Sequence, residues 1–89
     1  MIAFEISINS KFITTAGGTD LDLLLAILRW RGEGDCNIEA CGQAGEFHLI
    51  WADVPLRVGD EIRVRIIETE NASTPTERHH ISEFPAVEE

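Results

Sequence analysis

Cys36, Cys41 and His48 are the residues whose types could do chemistry together, and His79-His80 adds an imidazole pair further on. A cysteine nucleophile needs a base within hydrogen-bond reach, and zinc needs tetrahedral donors, usually supplied by C-x2-C knuckles. The spacing here is C-x4-C with scattered histidines, which matches neither pattern. If both cysteines lie on one regular strand, an odd separation sends them to opposite faces, about 16 Å apart and beyond disulfide reach. Asp60 and Glu61 fall in a turn, where Asp serves the backbone, and no partner acid is evident for either. The sequence therefore names no catalytic residue, no metal site and no cofactor. His48 is expected opposite Phe47, Leu49 and Trp51 on its strand, exposed or facing a neighbouring strand. The binding candidates are His48, Trp51 and a basic strip of Arg57, Arg63 and Arg65.

The elements that position these residues are read from periodicity. A Gly59-Asp60 turn opens into Ile62-Arg63-Val64-Arg65-Ile66, whose period of two marks a half-buried strand, expected at the centre of the sheet. Ile2, Phe4, Ile6 and Ile8 alternate with Ala3, Glu5, Ser7 and Asn9 as a first strand. Asn9-Ser10-Lys11 then turns into Phe12-Ile13-Thr14-Thr15 to make a hairpin. Thr19 is placed as a helix cap, with Asp20 and Asp22 in the first turn. Leu21, Leu24, Leu25 and Leu28 fit the spacing of a core-facing helix that runs to Trp30 and stops at Gly32 to Gly34. Cys36 to Cys41 and Phe47 to Trp51 are read as two further strands. Residues 1–70 are expected to fold as one domain. The Asn71 to Glu77 stretch has no apolar period, so 71–89 is expected to be a C-terminal tail, loosely docked or disordered.

This order predicts an α+β fold, with one helix packed on a mostly antiparallel sheet of four or five strands in the sequence ββαβββ. It resembles the β-grasp arrangement of ubiquitin-like and sulfur-carrier proteins, through Ile6 to Thr15, Thr19 to Trp30 and Gly59-Asp60-Glu61-Ile62. The chain departs from that family at its end, Phe84-Pro85-Ala86-Val87-Glu88-Glu89, where a terminal Gly-Gly would carry the chemistry. Phe47-His48-Leu49-Ile50-Trp51, with Leu56, Gly59-Asp60-Glu61-Ile62 and Glu68, is also similar to small uncharacterised bacterial proteins, a likeness that implies no activity.

Sixteen acidic and seven basic side chains leave a net charge of −9. Residues 1–45 hold three basic and six acidic groups, and residues 46–89 hold four and ten. That balance argues against nucleic acid or an anionic membrane as partner, since phosphate binding needs clustered Lys and Arg. No apolar run approaches the roughly 20 residues of a membrane span, and no signal core follows Met1. The chain is expected in the cytoplasm. The function expected from these features is a small, acidic, non-enzymatic module that binds a protein partner. Inhibition of a basic partner, as by an immunity protein, is one form of it. A ligand-binding or enzymatic domain that uses Cys36, Cys41 and His48 is the alternative, and a structural homodimer is a third.

Overall fold

The computed structural model describes residues 1–32 and 34–80. Among them the chain is all-β, with seven strands: β1 (Ile2–Ile8), β2 (Lys11–Gly17), β3 (Leu23–Trp30), β4 (Cys36–Ala44), β5 (Phe47–Leu56), β6 (Ile62–Glu68) and β7 (Glu77–His80). They form two antiparallel sheets, ordered β2-β1-β6 and β3-β4-β5-β7. The expected helix is absent from the described residues, and with it the α+β, β-grasp-like order is overturned.

The reason lies in the Leu23 to Leu28 run, which is apolar without a break and so fits a doubly covered strand as well as a helix. Pairing decides between them. β3 runs in register with β4 from Leu23↔Gln43 to Trp30↔Cys36, and Arg29 bonds Glu39 across the pair at 2.6 Å. Gly32 and Gly34, read as a helix stop, have φ of +86° and +83° and turn the β3–β4 hairpin instead. Arg31 N–H donates to the Asp35 carbonyl at 2.8 Å to close it. Asp22, read as a first-turn acid, accepts from Gly45 N–H at 2.9 Å beside the opposite end of β4. Residues that cap helices also serve turns, because both leave backbone N–H groups to satisfy.

A second correction concerns β6. It alternates as expected, but among the described residues it lies at the edge of its sheet and pairs only with β1. The β1–β2 turn holds it there. Asn9 and Ser10 both have positive φ, as a two-residue primed hairpin turn requires. Asn9 then accepts from Glu61 N–H at 2.9 Å and donates to Asp60 at 3.0 Å.

The two sheets meet where β2 approaches β5 and β4. The shared core is Ile6, Ile8 and Ala16 from the first sheet with Ile38, Ala40, Trp51 and Leu56 from the second. Ser73 ties the seam: its N–H donates to the Thr15 carbonyl at 2.9 Å, its hydroxyl accepts from Thr15 N–H at 3.0 Å, and its carbonyl accepts from the Trp51 indole at 2.8 Å. Within the segment expected as a tail, β7 pairs with Phe47 to Ile50 of β5. Residues 81–89 lie outside the described residues.

The core face is larger than the core. Register carries the Ile6 side onto Val64 and Ile66 of β6, and the Ile38 side onto Leu28 and Trp30 of β3. These four are 41, 72, 62 and 73% exposed. The Cα extents are 38 × 38 × 16 Å, with a radius of gyration of 14.0 Å. A compact domain of this length has a radius of about 12 Å. The described chain is flat, and among the described residues its apolar side runs past the seam to side chains left exposed on β6 and β3.

Candidate functional site

The side of the second sheet away from the core gathers polar chemistry on three adjacent strands. β4 projects Asn37, Glu39 and Cys41 there in alternation, β3 places Arg29 beside Asn37, and β5 places Asp53 beside Glu39. A bulge completes the arrangement. The β4–β5 register passes from Ala40↔Ala52 to Cys41↔Ile50, so Trp51 has no opposite residue. A bulge lets successive residues point the same way. Trp51 and Ala52 both join the core, while Ile50 and His48 return to the face of Cys41. Gly42 makes room for that packing, since a Cβ there would sit 3.2 Å from the Trp51 ring and 2.7 Å from the Leu23 carbonyl.

The sulfur of Cys41, a carboxylate oxygen of Glu39 and a ring nitrogen of His48 consequently all lie within 4.8 Å of one another. Cys41 is buried, and Glu39 and His48 are half-buried. Burial pushes the Cys41 thiol up, and the Glu39 charge adds to that, while the Arg29 cation opposes it. Burial therefore favours the protonated thiol near neutrality, which disfavours nucleophilic cysteine chemistry. The hydrogen bond to Glu39 raises Arg29 in turn. Nearby, Asn37 donates to Asp53 at 2.8 Å, and its own side-chain oxygen is buried without a hydrogen-bond partner among the described residues.

The structure thus brings together Cys41 and His48 and adds Glu39, which spacing alone does not single out. Cys36 is not part of the group. It projects with Ile38 and Ala40 onto the core face, opposite to Cys41 on β4. Trp51 is 3% exposed, in the core. Arg57 is exposed in the β5–β6 turn, where its N–H donates to Asp60 at 2.7 Å. Arg63 and Arg65 share the outer face of β6 opposite Ser7 and Glu5, and Arg65 pairs with Glu5 at 3.4 Å. The basic strip is therefore partly neutralised by β1.

A cleft of about 710 Å³ opens elsewhere, between Ala44, Phe47, Leu49 and Pro75, with Arg78 stacked 4.0 Å over the Phe47 ring. None of Cys36, Cys41 or His48 lines it, so these residues do not converge in that pocket. No helix among the described residues is long and apolar enough to cross a membrane. Comparison with protein families, with curated proteins and with solved structures finds no match to this chain.

Proposed function

We propose that this chain is a non-enzymatic protein-interaction module whose open apolar face pairs with a second copy of itself. The observation that carries the reading is the exposure of Val64, Ile66, Leu28 and Trp30 on the same faces that form the core. Val64 and Ile66 stand two apart on one side of β6, as do Leu28 and Trp30 on β3, and large apolar side chains exposed side by side mark a contact surface. A surface this apolar suits a partner that is present whenever the protein is, and a like copy meets that condition. The edge position of β6 adds unpaired backbone groups to the same region.

Sedimentation or native mass measurement across a dilution series tests the reading. The wild-type chain is expected to be a dimer that dissociates on dilution. Ile66→Asp and Leu28→Asp are expected to be folded monomers, because both side chains face solvent in the single chain. A wild-type chain that stays monomeric at every concentration, or a dimer that survives both substitutions, overturns it.

The net charge of −9 favours a second reading, in which the outer surface steers a basic protein. Salt separates the two. Screening strengthens association of like-charged copies and weakens that of an acidic module with a basic partner.

A further inference from the structure

We propose that Glu39, Cys41 and His48 form a binding site for a borderline-soft divalent cation of the zinc class. The donor atoms are a sulfur, a carboxylate oxygen and an imidazole nitrogen, all within 4.8 Å of one another. Thiolate and imidazole together select zinc over the hard cations, which take oxygen ligands. In a tetrahedral site with Zn–S of about 2.3 Å and Zn–N or Zn–O of about 2.0–2.1 Å, the donors stand roughly 3.3–3.6 Å apart. Binding therefore draws them in by no more than about 1.5 Å, which side-chain rotation at the half-buried Glu39 and His48 supplies.

The backbone is already fixed for this. Cys41 is paired on both sides, to Leu25 and to Ile50, and the Trp51 bulge sets His48 on the same face. Arg29 donates to Oε1 of Glu39 at 2.6 Å and so orients the carboxylate. Ligating carboxylates in metal sites are commonly held in this way. On binding, the Cys41 thiol releases its proton to solvent, and the resulting thiolate together with the Glu39 carboxylate balances the charge of a dication. Three protein donors leave the fourth position to water, the open form of a zinc site. His79 stands opposite His48 on β7, with its Nε2 held by Glu77 at 2.9 Å, and is not required as a ligand. The site lies on the side away from the open apolar face, so it stands independently of the self-association reading.

The test is a Co²⁺ titration of the untagged, reduced full chain, followed by displacement with Zn²⁺ and by calorimetry with Zn²⁺. The expected result is one ion per chain, with a thiolate-to-cobalt charge-transfer band in the near ultraviolet that Zn²⁺ abolishes. Cys41→Ser removes the band. His48→Gln and Glu39→Gln each weaken binding by at least the roughly 10–100-fold that loss of an outer-shell partner alone costs. Cys36→Ser changes nothing, because Cys36 faces the core. Circular dichroism establishes that each variant is folded, and His48→Gln, at a half-exposed position, keeps the test open should Cys41→Ser not fold. The absence of a band and of binding heat in the wild-type chain overturns the proposal. So does a band that survives Cys41→Ser, or metal uptake lost only when His79 and His80 are both changed to Gln.

Discussion

β1 and β6 are neighbours in one sheet with the same alternation of apolar and polar residues, yet the structure treats them differently. Ile6 of β1 is 1% exposed, and Ile66, two residues beyond its direct partner Val64, is 72% exposed. Both point to the same side of the sheet. The difference is distance from the seam: β1 sends Ile6 and Ile8 into the core shared with the second sheet, whereas Val64 and Ile66 of β6 stand outside it. Alternation states which side of a strand is apolar, and the neighbouring layer alone decides whether that side is covered.

The largest effect that sharpens this contrast is a matched pair of truncations. Ile6→Ala is expected to cost about 2–5 kcal/mol, because it leaves a cavity in a filled core. Ile66→Ala, measured at a dilution where single chains dominate, is expected to stay within about 0.5 kcal/mol. Urea unfolding of the two variants gives the comparison directly, and equal losses would mean that β6 is covered in the single chain.

Next in size is the seam. Trp51→Phe keeps most of the ring but removes the indole donor to Ser73, leaving a carbonyl without its partner. A loss of about 1–3 kcal/mol is expected, again read by urea unfolding. Hydrogen exchange at Ser73 and Thr15 should rise along with it, since both amides belong to the same junction. An unchanged midpoint would show that the two sheets are held by their side chains alone.

The smallest effect is electrostatic and lies at the turn that fixes β6. The Asn9 hydrogen bond, and after it the Arg57 N–H, hold the Asp60 carboxyl below its ordinary range. A group depressed in the folded state contributes stability above its unfolded value, and that contribution is lost as pH falls through the folded value. The wild-type melting temperature is therefore expected to decline in the acid range below the ordinary carboxylate value. Asp60→Asn should show a shallower decline there, together with a slightly lower melting temperature at neutral pH. Parallel profiles would remove Asp60 from the account.

Much of the sheet is legible in the sequence. The period of two in β1 and β6 and the turn residues Asn9-Ser10 and Gly59-Asp60 point to strands and turns that the structure contains. β3 is not legible, because Leu23 to Leu28 has no polar residue to reveal its period, and the same Asp, Thr and Gly signals flank helices and hairpins alike. The edge position of β6 is equally illegible, as strand order depends on distant pairing. At the polar site, Cys41 and His48 stand out by residue type. Their meeting depends on β4–β5 register and on the extra residue Trp51, and neither is written in spacing along one strand. Glu39 gives no signal in the sequence, because a lone acid carries no pattern until Cys41 and His48 are beside it.

Sedimentation equilibrium of the wild-type chain at low and at physiological ionic strength tests the self-pairing of the open face most directly. The account predicts a reversible dimer whose association constant rises with salt, as screening relieves the repulsion between two copies of charge −9. A single monomeric species at both salt concentrations and at every loading would contradict it.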